Sequence, residues 1–328
     1  AGPLILSGDL IDGLEGSVVL NEFKAIAGEN IFIIATGYPS GRSAETAIKK
    51  YTEALGMEVK SVFVEDTPIE IPEGTSGVLV IGKDQSKVKP EALAALKDFW
   101  LAGNPVMADN AAMPIFGSVY APHEPTPDDA ELEELATQKS FWQGRTKFAD
   151  GLGWVDITLE PQIIADKRFG RLTSLAYNYP QKLAFGINKD TALMFTNEGT
   201  KVIGANGVFV FDLRKATLQL GTNEGFTIAN AMLDVFVPGD EVKPELADMN
   251  ASFTPQATPV LPTAEPTFTP TVVVTATIPA TLTPEAVMTE VPAAEAPVSE
   301  TSASFPAWAI GLIVVALGAA GWVFLRKK

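Results

Sequence analysis

The sequence predicts an α/β protein: a mostly parallel sheet with helices on both faces and an antiparallel C-terminal edge, then a disordered stalk and one transmembrane helix. Three observations carry this expectation. Short continuous apolar runs alternate with amphipathic helical patterns through the first part of the chain, as in parallel sheets buried on both faces. Beyond about Leu152 the pattern turns β-rich, with closely spaced strand pairs. The C-terminal part then changes composition twice, first to Thr and Pro and then to an uncharged apolar run.

The elements follow in order. Strands are expected at Pro3–Ser7, Asn30–Thr36, Glu58–Val64, Gly77–Ile81 and Pro105–Asp109. Helical patterns separate them at Leu14–Ala27, Ser43–Leu55 and Pro90–Ala102, the last two stopped by Gly56 and Gly103. Glycine suits such a stop because it takes the left-handed conformation at little steric cost. "LAFGINKDTALMFT" reads as paired strands around a turn, and "TKVIGANGVFVFD" as a hairpin turned by Asn206-Gly207. Both would close an antiparallel edge onto the parallel sheet.

Residues 1–250 therefore form the expected α/β domain. Residues 251–304 are mostly Thr, Pro, Ala, Val, Ser and Glu, too poor in large side chains to offset their conformational entropy, which predicts a disordered stalk. Residues 305–328 hold "PAWAIGLIVVALGAAGWVFL", Pro306 to Leu325, with no charge. A helix of that length spans about 30 Å, the hydrocarbon thickness of a bilayer. Trp308 and Trp322 mark its two ends, and the following Arg326-Lys327-Lys328 reads as a cytoplasmic flank. The expected localisation is a cell membrane crossed once, with the domain outside. The start at "AGPLIL" fits prior removal of a secretion signal. "LPTAE", Leu261–Glu265, resembles a sortase motif only superficially and lies too far upstream of the apolar run.

Charge and composition narrow the chemistry. The net charge is −16, and −19 without the terminal basic triplet, so a phosphate backbone would be repelled and no nucleic-acid partner is expected. There is no cysteine, which excludes thiol catalysis, thiolate metal sites and disulfides. His123 is the single histidine and lies in the Pro-rich loop "APHEPTP", where it reads as a solvated side chain. The acidic stretch "PDDAELEELA" lacks EF-hand spacing; Asp128 and Asp129 suit the positive end of a helix dipole instead. "SGDLIDGLEG" makes neither a dinucleotide fingerprint nor a P-loop. Neither a metal nor a cofactor is expected.

The stretch "VMADNAAMPIFG", Val106–Gly117, runs from a strand into an apolar helical pattern through Ala108-Asp109-Asn110-Ala111-Ala112. Small-x-nucleophile-x-small turns of this kind display the serine of α/β hydrolases, but here the central residue is asparagine. Asp109, just before the tip, reads as a turn or N-cap residue, and Ser118 as a surface or capping hydroxyl one turn into the following helix.

Four stretches together carry a family resemblance: "GPLILSGDLIDG", "VLVIGKDQSKV", "RFGRLTSLAYNYPQKLAFGINKDTAL" and "VIGANGVFVFD". Over about residues 1–215, in order and spacing, they resemble the cyanophycinase-like serine peptidases. Those proteins have a flavodoxin-like fold of the class I glutamine-amidotransferase type. One glycine of the family's Gly-Gly-Asp-Gln segment is Lys83 here, while Asp84 and Gln85 match. The resemblance places Asn110 at the serine of the family's Gly-Thr-Ser-Ala-Gly elbow. It places Glu160-Pro161-Gln162-Ile163 on the Asp-Gln-His-Phe that supplies the base, so Gln162 stands for the histidine. Both chemical members of the triad are then missing.

A carboxamide nitrogen is no nucleophile near neutral pH, and glutamine cannot relay a proton as imidazole does. The expectation is a vestigial catalytic set (Asn110, Gln162, Glu160) within a binding surface of Asp84, Gln85, Asp109, Asn110, Gln162, Arg168 and Arg171. Arg168 and Arg171 match family arginines and fit either structural ion pairs or anion binding. The predicted function is a membrane-anchored extracellular pseudohydrolase serving as a binding or structural module. Its partners would be the membrane, a cell-envelope protein or a second copy, and a peptide ligand. The alternatives are an active serine-type exopeptidase of the same family, with His123 as its only available imidazole, and a non-cleaving peptide receptor.

Overall fold

Apolar strand runs bounded by capped helices set up the first sheet. The computed structural model describes residues 1–64, 68–122 and 138–242, all within the compact unit Ala1–Gln256. Its N-terminal part runs β1 (Leu4–Ser7), α1 (Val18–Ala27), β2 (Ile31–Thr36), α2 (Gly41–Leu55), β3 (Lys60–Val64), β4 (Gly77–Gly82), α3 (Leu96–Leu101) and β5 (Val106–Asn110). Then come β6 (Val119–Tyr120), β7 (Ala149–Asp150), β8 (Thr158–Pro161), α4 (Phe169–Asn178), β9 (Ala184–Ile187), β10 (Thr191–Thr196) and β11 (Gly199–Gly204). The last elements are β12 (Val208–Asp212), β13 (Thr217–Leu220), β14 (Phe226–Ala229), β15 (Met232–Phe236) and β16 (Glu241–Val242).

Helix boundaries depart from the sequence pattern for local reasons. Gly16, at φ 77°, keeps residues 14–16 in turns, and Ser17 caps α1 by accepting from Leu20 N. Ser40 caps α2, which Gly56 stops in the left-handed region at φ 63°. The expected Pro90–Ala102 helix is broken: Pro90–Leu93 is a 3-10 turn, and the Ala92 carbonyl accepts from Ile69 N rather than from a later helical amide. The pattern after the elbow gives one 3-10 turn, Met113–Phe116, ended by extended Gly117. Ser118 is therefore not helical; its hydroxyl donates to Asp156 Oδ1 at 2.7 Å.

An eight-stranded sheet has the order β16-β11-β10-β1-β5-β4-β2-β3. Strands β3, β2, β4, β5 and β1 are mutually parallel, and β10, β11 and β16 continue the sheet antiparallel. β1 lies between β5, with Leu4 opposite Val106, and β10, with Leu4 opposite Phe195. The antiparallel edge is thus present, but the two pairings expected within it are not.

β9 and β10 lie in different sheets, as do β11 and β12. The second sheet has six strands in the order β15-β12-β9-β8-β6-β7. The two links between sheets run side by side. Ala205 N donates to Asp190 O, Asn206 N to Thr191 Oγ1, and Asn188 Nδ2 to Gly207 O. These bonds hold Asn206-Gly207 in a crossing rather than a hairpin.

Strand alternation then builds the layers. Ile5, Ile33, Leu79 and Met107 face α1 and α2 in one core cluster. Leu4, Leu6, Val80 and Ala108 face the other way and pack with Leu159, Phe185, Ile187 and Val210 of the second sheet. The second face of the large sheet is therefore covered chiefly by another sheet, with α3 beside it, not by helices as expected. On the far side of the six-stranded sheet Ala184 packs against Ile163, Leu172 and Ala176.

The expected stalk (251–304) and apolar C-terminal span (305–328), with Asp128, Asp129 and His123, lie outside the described residues. Among the described residues no helix is long and apolar enough to cross a membrane.

Candidate functional site

The C-terminal ends of β1, β4, β5 and β8 bring the sequence-predicted residues to one edge of the parallel strands, the edge at which open α/β sheets form ligand clefts. Asn110 is the last residue of β5 and takes φ 53°, a left-handed conformation that asparagine tolerates better than most side chains. Gly82 sits opposite it in register. A Cβ at Gly82 would meet Ala112 N at 2.4 Å, so only glycine lets the turn close this tightly.

Gln162 follows β8 and also takes φ 53°. Its Nε2 donates to Asn110 Oδ1 at 3.0 Å, and Asn110 Nδ2 donates to Asp9 Oδ1 at 3.3 Å. Asp9 also accepts from Ile11 N and faces Lys189 Nζ at 3.5 Å, which in turn pairs with Asp12. A polar chain thus runs from Gln162 through Asn110 and Asp9 to Lys189. Asn110, Gln162 and Asp9 are all buried. Asn110 and Gln162 thus touch each other, and they do so as amides.

Asp109 points away from this chain. It lies within β5 rather than at a helix start, so the expected capping role is corrected. Its Oδ2 accepts from the Tyr51 hydroxyl and, at 3.4 Å, from Leu10 N. Burial, then the neighbouring Asp9 carboxylate, pushes the Asp109 pKa up to about 7. Burial also raises Asp9, with Lys189 opposing. Burial and the charge of Asp109 raise both Tyr38 and Tyr51, so both phenols stay protonated and Tyr51 remains a donor to Asp109.

The remaining predicted residues form a second cluster. Glu160 is fully buried, and its Oε1 accepts from Arg168 Nη1 at 3.2 Å and Arg171 Nε at 3.0 Å. Arg168 also clamps Asp166 Oδ2. Arg171 Nη2 reaches Gln85 Oε1 at 3.2 Å and the Ala121 carbonyl. Both arginines are therefore engaged in structural ion pairs. Gln85 Nε2 and Glu160 Oε2 are buried without a hydrogen-bond partner among the described residues. Asp84 serves locally, capping the 3-10 turn Gln85–Lys87 through Ser86 N and pairing with Lys87.

Sequence reasoning missed Asp9, Tyr38, Tyr51 and Lys189. Asp9 lies in the glycine turn "SGDLIDG", and its place after β1 was the available signal; Tyr51 reaches the site from α2 with no local motif. Among the described residues no group of three or more His, Cys, Asp or Glu side chains is placed to hold a metal ion.

Comparison with known proteins gives a local similarity. No family model matches the chain. It is 32% identical over 103 residues to the cyanophycinase of Trichormus variabilis, covering 28% of this chain and 33% of that protein. It is 33% identical over 98 residues to the cyanophycinase of Synechococcus elongatus, covering 28% of this chain and 30% of that protein. The matched region thus spans about a third of the length of these curated relatives. Among solved structures, a candidate peptidase E protein from Listeria monocytogenes EGD-e matches with TM-score 0.41 and 16% identity, over 62% of this chain and 99% of that one.

Proposed function

We propose that this chain is a non-hydrolytic relative of the cyanophycinase-like proteins, a pseudohydrolase that acts as a binding or structural module at the cell surface. In this reading the domain of residues 1–250 stands outside the membrane on the 251–304 segment, anchored by residues 305–328. The observation that carries it is the 3.0 Å hydrogen bond from Gln162 Nε2 to Asn110 Oδ1. A serine hydrolase needs an ionisable base within hydrogen-bond reach of a hydroxyl at this point. Here the elbow tip and its partner exchange a hydrogen bond between two carboxamides. Neither gains or loses a proton in the working range of a base, so the pair can position a bound group but cannot activate one.

The test offers the purified chain β-aspartyl-arginine, then a serine-directed phosphonate probe. No product and no covalent label are expected. Asn110→Ser alone should also stay inactive, since Gln162 supplies no base. Turnover, or labelling of any serine in the folded protein, would overturn the reading in favour of an active exopeptidase. The anchoring half is tested separately by adding protease to intact cells stripped of any outer layer. Cutting within 251–304 and release of a folded fragment are expected. Protection until the membrane is breached would reverse the orientation.

A further inference from the structure

The C-terminal end of α4 gathers aromatic rings that the core does not enclose. Residues 141–143 lie antiparallel to the tip joining β13 to β14. Trp142 bridges to Gly225, Phe226 N donates to Phe141 O at 3.0 Å, and Gln143 N donates to Glu224 O at 2.9 Å. This pairing sets Phe141 opposite Phe226. Phe226 in turn stacks on Tyr177, with ring centroids 4.2 Å apart and planes 20° from parallel. Gln143 Nε2 donates to Asn178 Oδ1 at 3.3 Å, and Asn178 Nδ2 donates back to Ser174 O, which ties the segment to the helix. Trp142 rests against Gly225, where a Cβ would meet its Nε1 at 3.4 Å. None of these four rings is fully buried, and Phe141 is 38% exposed. Aromatic rings grouped at a surface and held there by backbone bonds mark a contact surface.

Charge marks the same surface. Residues 138–149 hold Lys139, Arg145 and Lys147 and no carboxylate. All three cations are exposed, and among the described residues none forms an ion pair. The facing hairpin, residues 217–229, adds a single carboxylate, Glu224. In a chain of net charge −16, this surface is locally positive. Its rim is polar, with Gln143, Gly144, Thr222 and Asn223 all exposed, so the rings do not form the apolar tip that enters a bilayer. Arg168 and Arg171 stand at the other end of the same helix, on the order of 10 Å away along its axis. The surface is therefore separate from the elbow.

We propose that this surface binds an acidic polysaccharide, a chain of sugar rings bearing carboxylates. A pyranose presents a flat C–H face that packs on an aromatic ring, here Phe141 and the Tyr177–Phe226 pair. The sugar carboxylates lie at the ring edges, where Lys139, Arg145 and Lys147 can pair with them. Two observations select this ligand chemistry. A neutral saccharide would leave three clustered cations without a partner. An acidic peptide would satisfy the cations but has no repeating apolar face to cover the rings. The local positive charge also draws a polyanion to this one region of an otherwise repelling surface. The surface uses neither Asn110 nor Gln162, so the inference is independent of the pseudohydrolase reading and survives its failure.

Calorimetric titration of the purified full chain tests this with hexasaccharides of hyaluronan and of alginate. At least one of the two should bind about tenfold more tightly than maltohexaose or a glutamate peptide of equal charge. Arg145→Ala and Phe141→Ala should each weaken that binding about three- to tenfold, with unchanged far-ultraviolet circular dichroism. Lys49→Ala, an exposed control on α2, should leave it unchanged. Arg145 is exposed, so Arg145→Ala alone decides the matter if Phe141→Ala does not fold. Equal affinity for the glutamate peptide would reduce the surface to a general anion patch and overturn the proposal. So would preference for maltohexaose, binding untouched by Arg145→Ala, or no binding of either acidic hexasaccharide at millimolar concentration. Capture of phosphatidylglycerol vesicles that neither hexasaccharide displaces would assign the surface to a membrane and likewise overturn it.

Discussion

Asn110 and Gln162 come from different sheets, share a φ of 53°, and are joined by a 3.0 Å hydrogen bond between their side-chain amides. Each sits at the end of a strand in a conformation that costs an ordinary side chain about 1 kcal/mol. The bond therefore ties two strained strand ends together across the sheet-to-sheet interface.

Replacing Asn110 should expose both terms. Asn110→Ala removes the acceptor for Gln162 and the donor to Asp9 and keeps a side chain at positive φ, for an expected loss of about 2–4 kcal/mol. Asn110→Gly loses the same bonds but relaxes the backbone, so it should recover about 1 kcal/mol of that. Urea denaturation of both variants measures the difference. Equal stabilities would mean that the left-handed backbone stores no strain.

Asp109 makes stability depend on pH. Its folded pKa, about 7, lies above the ordinary 3.8, so the folded state holds the proton more tightly than the unfolded chain. Its contribution is fully present below about pH 4 and is lost as pH rises to about 7. Asp109→Asn keeps an acceptor for Tyr51 without a buried charge. It should therefore be near neutral at about pH 4 and stabilising by a few kcal/mol at pH 8. Chemical denaturation at the two pH values decides this; a variant effect independent of pH would remove Asp109 as the titrating group.

The buried Glu160 with its two arginines should resist even conservative change. Glu160→Gln leaves Arg168 and Arg171 without their shared anion and should cost about 3–5 kcal/mol. Arg171→Lys keeps the charge but cannot reach Glu160, Gln85 and the Ala121 carbonyl together as the guanidinium fork does. Loss of more than about 1 kcal/mol is expected there by thermal or urea melting. A neutral Arg171→Lys would show that the fork geometry contributes nothing.

Gly82→Ala tests how tightly the elbow is closed. The added methyl meets the Ala112 backbone nitrogen, which has no rotamer with which to yield. A loss of about 1–3 kcal/mol is expected, against about 1 kcal/mol for Gly56→Ala, where the space is open and only the positive φ resists. Parallel melts of the two variants separate crowding from backbone strain.

The parallel strands were legible because burial on both faces leaves a continuous apolar run, and β1 to β5 fall within a residue or two of expectation. What alternation does not carry is the partner. The runs that became β9 to β12 read correctly as strands, yet each supposed hairpin is split between sheets by backbone bonds around Asp190 and Asn206. At the site, a strand-to-turn motif singled out Asn110 and the family resemblance singled out Gln162, and the structure joins the two. The burial that raises Asp109, and the arrival of Tyr51 from α2, depend on packing that no local pattern encodes.

The register of β1 has a consequence for the order in which the chain can assemble. Leu4 has one neighbour at Val106 and the other at Phe195, so β1 is flanked on one side by a strand made far later. At typical synthesis rates that second neighbour follows after about 10–40 s. Until then the large sheet ends at β1, with a bare apolar edge that only β10 can close. The nascent chain must therefore keep that edge from pairing with others while its own partner is still being made.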